Sequence, residues 1–88
     1  MKNYLICYDI SDEKRLAKLA KLLEKEAYRI QKSIFLLLAP TQEELVVLID
    51  KIQTIIDTNV DDVRLYTIKQ SGYVLGSATN LDEPFLLI

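Results

Sequence analysis

The sequence predicts an α+β domain, a four-stranded antiparallel sheet with two helices on one face and a short strand added at the end. Three observations carry this expectation. Two segments of helical period, each opened by a capping signal, are set among apolar runs of strand length. The elements follow the order βαββαβ, the split-βαβ arrangement of a ferredoxin-like sandwich. The chain has 88 residues, half of them hydrophobic, with no linker, repeat or low-complexity stretch to divide it, so residues 1–88 make one ferredoxin-like domain.

Residues 3–10 (Asn-Tyr-Leu-Ile-Cys-Tyr-Asp-Ile) read as a buried strand that runs into an acidic end. Residues 12–26 read as a helix, because Leu16, Leu19, Ala20 and Leu23 fall at the spacing of one apolar face, which Ala27 continues. Residues 28–39 begin with alternation and end in an apolar run, as a long strand would, and Pro40 breaks it. Thr41 and Glu44 form a capping-box pattern for the second helix. Leu45, Leu48, Ile49, Ile52, Ile55 and Ile56 give that helix its apolar face, and residues 57–59 its exit. Residues 62–69 read as a strand and Gly72–Gly76 as another, joined by the Gln70-Ser71 turn. Residues 77–84 read as loop, and Phe85-Leu86-Leu87-Ile88 is a final apolar run.

These strands are apolar on both faces, although helices can cover only one. Tyr4, Ile6 and Tyr8 point one way along the first strand, Leu5 and Cys7 the other. In the next run, Ile30, Ile34, Leu36 and Leu38 oppose Phe35, Leu37 and Ala39. One set is left on the face without helices, where each side chain gains ~1.5–3 kcal/mol if a neighbour buries it. A homodimer is therefore expected, with Tyr8 and Phe35 at the interface. Phe85, Leu86, Leu87 and Ile88 would be an exposed, sticky strand on a monomer. The 77–88 tail is expected to pair with the partner subunit's sheet edge, the alternative being a return to its own sheet.

Composition narrows the chemistry. The chain contains no histidine, which excludes Cys/His zinc sites, Ser-His-Asp triads and histidine acid–base catalysis. Cys7 is the single cysteine, so no intrachain disulfide forms, and its place mid-strand in an apolar run reads as inert core. Met1-Lys2-Asn3 leads directly into strand without a signal-peptide pattern, and no apolar stretch approaches a membrane span. A cytoplasmic location is expected. The net charge is −2, whereas free-standing nucleic-acid binders usually carry a basic surplus. Distribution matters more than the sum.

Asp9 is the residue most suggestive of chemistry. It stands at the C-terminal end of the first strand, held by rigid backbone, and carboxylate oxygen is what a hard cation such as Mg²⁺ prefers. The bland alternative is a helix cap, since Asp9, Ser11 or Asp12 could each accept the free N–H groups of the next helix. Asp12 is assigned to the helix start. Lys14, Lys18, Lys21 and Lys25 fall within a narrow arc of the first helix opposite its apolar face. That stripe is either an ordinary solvated face or a track for a nucleic-acid backbone. Acidic residues gather elsewhere, at Glu43, Glu44, Asp50, Asp57, Asp61 and Asp62.

The motifs resemble the CRISPR-associated protein 2 family, the small subunit of the spacer-acquisition machinery. The matching residues are Tyr8-Asp9-Ile10, Lys14-Arg15, the string Arg29-Ile30-Gln31-Lys32-Ser33-Ile34-Phe35 and Asp62-Val63-Arg64-Leu65-Tyr66. Their order and spacing match over residues 3–69. The chain has Ala27 where the family often has Gly, and Leu36 where it often has Glu. The resemblance implies a homodimer with sheet faces packed together, C-terminal strands crossing over, and Asp9 of both subunits near the two-fold axis, sharing Mg²⁺ or Mn²⁺. It implies a CRISPR adaptation role in antiviral defence, as the dimeric scaffold for a CRISPR-associated integrase that inserts spacers. It also implies metal-dependent endonuclease activity on single-stranded RNA or double-stranded DNA. Without histidine, water activated by the cation is the natural nucleophile. Arg15 and Arg29 would steady the phosphate, although Arg29 reads equally as a salt bridge or solvated strand edge. Two further readings stand beside this one: a VapD-like toxin ribonuclease, and a non-catalytic ferredoxin-like regulatory module. The second is weakened because Gly72 and Gly76 are the only glycines and form no phosphate-binding loop.

Overall fold

The computed structural model describes residues 2–68 and 86–88. The elements are β1 (Asn3–Asp9), α1 (Glu13–Glu26), β2 (Tyr28–Gln31), β3 (Ile34–Leu37), α2 (Gln42–Ile55), β4 (Asp62–Ile68) and β5 (Leu86–Leu87). The sheet order is β2-β3-β1-β4-β5, antiparallel at every pairing. This is the ferredoxin-like arrangement with one short strand added outside β4. The expected strand at 72–76, its 70–71 turn, the 77–84 loop and Phe85 lie outside the described residues. Among the described residues no helix is long and apolar enough to cross a membrane.

β1 is the centre of the sheet. It pairs with β3 from Tyr4↔Leu37 to Cys7↔Ile34 and with β4 along its whole length, from Asn3↔Ile68 to Asp9↔Asp62. The run 28–39, expected as one long strand, is a hairpin. Lys32 and Ser33 make the turn, held to β1 by Tyr8 N–H donating to the Ser33 carbonyl at 3.2 Å and Tyr8 Oη donating to that of Lys32 at 3.2 Å. The polar Gln31-Lys32-Ser33 stretch interrupts the alternation at the point where the chain reverses. This division supplies the second strand between the helices that βαββαβ requires. A register shift falls between Arg29 and Gln31 of β2, and a short, bulged edge strand discourages pairing with other chains.

Both helices begin where the sequence places their caps. Asp12 accepts from Arg15 N–H at 2.9 Å at the start of α1. Thr41 and Glu44 exchange both bonds of a capping box at α2, at 2.8 and 3.1 Å. Leu19 and Leu23 of α1, with Leu45, Leu48 and Ile52 of α2, face the sheet and are buried. They meet Tyr4, Ile6 and Tyr8 of β1, Phe35 and Leu37 of β3, and Val63 and Leu65 of β4. Each such side chain contributes ~1.5–3 kcal/mol on burial.

Packing against α1 and α2 settles which apolar set the helices cover, and it corrects two expectations. Phe35 is register partner to Ile6 and is 0% exposed. Tyr8 is also buried, its ring stacked on Phe35 with centroids 6.2 Å apart. Both belong to the core of one chain and are not interface residues. The face without helices instead carries Leu5, Cys7, Ile34 and Leu36. Of the 77–88 tail, residues 86–88 are described, and they lie against β4 of the same chain, with Leu86 opposite Leu65, Leu87 opposite Arg64, and Ile88 N–H donating to the Val63 carbonyl at 2.9 Å. There they satisfy an outer edge of β4 that would otherwise present free backbone groups.

Replacing Phe35 by Leu should lower unfolding stability by about 1–3 kcal/mol in urea titration and leave the mass seen by light scattering unchanged. A changed mass at undiminished stability would return Phe35 to an interface.

Candidate metal and nucleic-acid site

Asp9 is the last residue of β1 and Asp62 the first of β4, and the two are register partners. Alternation places both on the face without helices, with Cys7, Arg64 and Tyr66. These five residues and Tyr8 line an open depression of about 330 Å³. Asp62 accepts from Arg64, with Nε at 3.1 Å and a terminal guanidinium nitrogen at 3.0 Å. Among the described residues Asp9 has no hydrogen bond or ion pair, and its side chain is exposed. Like charges directly opposite in a sheet repel, so this corner favours a cation, and Arg64 supplies one positive charge. The capping alternative for Asp9 falls away, because Asp12 does that work.

The donor set fits a hard divalent cation. Two carboxylates and solvent are what Mg²⁺ accepts, since it keeps several of its waters. Among the described residues no group of three or more His, Cys, Asp or Glu side chains converges, so one chain offers only this pair. Burial pushes the Cys7 thiol up, and the nearby Arg64 only partly offsets this, which disfavours its thiolate.

Arg15 and Arg29, expected to steady a phosphate beside Asp9, do not line this depression. Arg15 reaches Asp61 with Nε at 2.7 Å and a second guanidinium nitrogen at 3.2 Å, and lies 3.8 Å from Asp12. Asp61 is buried and also accepts from Asp57 N–H at 2.8 Å. A guanidinium committed to a buried carboxylate is a structural clamp. Arg29 is exposed and lies over the Phe35 ring, 5.1 Å from its centroid, a cation–π contact rather than a salt bridge. It lines a separate cleft between α1 and the hairpin, with Tyr8, Glu13, Ala17, Lys32 and Ser33. The arginine beside Asp9 is Arg64, which sequence reasoning missed together with Asp62. A signal existed: Asp62 and Arg64 share the parity that puts them on one face, but nothing local states the β1–β4 register.

Lys14, Lys18, Lys21 and Lys25 are all exposed on α1, opposite buried Leu19 and Leu23. Arg29 and Lys32 stand across a cleft whose α1 side is Glu13, Leu16, Ala17 and Ala20.

Comparison with known proteins bears on this arrangement. Residues 1–74 match the family model described as CRISPR associated protein Cas2. The chain is 37% identical over 71 residues to the CRISPR-associated endoribonuclease Cas2 2 of Thermodesulfovibrio yellowstonii, covering 81% of this chain and 77% of that protein. The crystal structure of Streptococcus pyogenes Cas2 is similar, with TM-score 0.72 at 31% identity over 78% of this chain and 88% of that one. A chain of a partial Cas6-RT-Cas1–Cas2 complex is similar too, with TM-score 0.72 at 34% identity over 86% of each chain.

The Arg15–Asp61 clamp makes a pH-dependent contribution to stability. Hydrogen bonds from Arg15, and then from the Asp57 amide, hold the Asp61 carboxyl below the usual carboxylate range. A group depressed in this way stabilises the fold above its unfolded pKa and loses that contribution as pH falls through the folded one. Asp61→Asn should therefore melt below wild type at neutral pH. The gap should close on acidification below about pH 4, as followed by circular dichroism.

Proposed function

The chain belongs to the CRISPR associated protein Cas2 family, and from that membership we propose that it is a CRISPR adaptation protein. In this reading it forms a homodimer that holds DNA for an integrase and hydrolyses nucleic-acid phosphodiesters with a divalent metal. The observation that carries the catalytic part is the Asp9 carboxylate, free among the described residues and opposite Asp62 on the open sheet face. Asp9 and Asp62 would hold Mg²⁺ or Mn²⁺, joined by Asp9 of the second protomer. The ion would supply Lewis-acid stabilisation of a phosphoryl oxygen and lower the pKa of attacking water. Arg64 keeps Asp62 aimed along the sheet and would place a positive charge beside a phosphate bound there. The Arg15–Asp61 clamp acts as a positioning element for both strand ends.

The integrase part is supported by likeness to a chain of the Cas1–Cas2 assembly. Half-buried Cys7, Ile34 and Leu36 on the open face support association through the sheets, and β5 could serve a partner's β4 as it serves its own. Lys14, Lys18, Lys21 and Lys25 would follow a DNA backbone by contacts independent of sequence.

Light scattering at micromolar concentration should give twice the 10.1 kDa chain mass; a clean monomer would remove the sheet-face interface. Asp9→Asn should abolish metal-dependent cleavage with an unchanged melting temperature, and Asp62→Asn should weaken Mn²⁺ binding in calorimetry as well as cleavage. Wild-type cutting by Asp9→Asn under the same metal conditions would refute the site. Replacing the four α1 lysines by Gln should weaken DNA binding by the integrase complex and flatten its salt dependence, while spacer integration by Asp9→Asn stays largely intact.

A further inference from the structure

The described surface holds a second feature, on the opposite side of the sheet from Asp9. Two adjoining depressions, about 290 and about 100 Å³, share Glu26, Glu44 and Leu48 and together form a groove. The groove runs from the end of α1, past the 37–40 turn, along the first turns of α2. Buried Leu37 and Leu48 line its floor beside Glu26 and Glu44, and Val47 and Leu38 stand at its rim, 51% and 48% exposed. Val46 beside it is also exposed. Valine is a mediocre helix former, so at these solvent-facing positions it serves neither the core nor the helix.

The turn adds an independent observation. Ala39 has a φ of 40°, in the left-handed region that costs a residue with a Cβ roughly 1–2 kcal/mol. Buried Asn3 holds it there, accepting from Ala39 N–H at 2.8 Å. The strained turn sets Leu38 outward and brings Pro40 to the groove wall. Strain that the surrounding structure enforces is a mark of functional surface. The charge is one-sided: Glu26, Glu43 and Glu44 face the single cation Lys51.

We infer that this groove is the docking surface for a segment of the integrase subunit that presents an apolar side chain flanked by lysine or arginine. The inference rests on the integrase reading above and names the face of this chain that it uses. The apolar anchor would fill the space between Val47, Leu48 and Leu38, and the basic residue would meet Glu26 and Glu43. These two carboxylates have no hydrogen bond among the described residues, whereas Glu44 is held by its capping box. An anchor desolvated at the centre of a small site, with charges at its rim, is how binding energy concentrates in interfaces.

Titration calorimetry of the purified full chain with the integrase subunit from the same locus tests this. Glu26→Lys/Glu43→Lys/Val47→Ser should bind more than about tenfold more weakly, with a wild-type melting curve. The Glu26→Lys/Glu43→Lys pair, confined to exposed side chains, should alone weaken binding several-fold and flatten its salt dependence. Binding of the triple variant within about twofold of wild type overturns the groove and leaves the integrase reading standing. An unchanged salt dependence in the double variant overturns the basic occupant. If the wild-type chain does not bind the integrase, both readings fall. If the variants alter the chain's own oligomeric mass and not its integrase affinity, the occupant is a second copy and the inference fails.

Discussion

The buried carboxylate of Asp61 is the constraint on which the two ends of the central strand pair depend. Arg15 follows Asp9 by six positions and Asp62 follows Asp61 directly, so the clamp joins the chain just after one strand to the chain just before the other. It fixes where α1 departs and where β4 begins, and thereby which residue of β4 lies opposite Asp9. A slip by one residue would send Asp62 to the helix side and Val63 to the open face. Removing Arg15 would leave the buried Asp61 carboxylate with only the Asp57 amide as partner, which costs more than the pair gains. The arginine that looked like a phosphate ligand thus contributes to the site through backbone geometry.

From that registered pair the division of labour in the sheet follows. One parity of β1, β3 and β4 builds the core with the helices; the other carries carboxylates, an arginine and apolar side chains on the open face. A face that is half apolar and half charged suits neither plain solvent nor plain core. Its apolar part suits contact with another sheet, and its charged corner suits a cation and a phosphate. The helices carry separate surfaces, lysines along α1 and carboxylates with valines along the start of α2.

The fold was largely legible in the sequence because its signals are local. Helix period, Asp12, the Thr41–Glu44 capping box and the Pro40 break all lie within a few residues of what they specify. The hairpin at 28–37 was missed because Gln31, Lys32 and Ser33 form a turn without glycine, aspartate or asparagine, and the apolar residues on either side read as continuous. Tyr8 and Phe35 were misassigned for a different reason: parity separates two faces but does not say which one the helices cover. Asp9 was legible from its place at a strand end. Asp62 and Arg64 were not, because they reach Asp9 only through a pairing about fifty residues away in the chain, for which a single sequence holds no direct signal.

The central position of β1 also bears on how the chain comes off the ribosome. Synthesis delivers the most hydrogen-bonded strand first, yet Tyr4 waits for Leu37 on one side and Thr67 on the other. Once the hairpin has emerged, a nascent sheet of β2, β3 and β1 can form, with the far edge of β1 still open. Until β4 is made, that apolar edge is a template for any strand nearby, including the same strand on a following ribosome. Long-range pairing of this kind is slow, so the edge of β1 stays exposed for as long as β4 takes to find it.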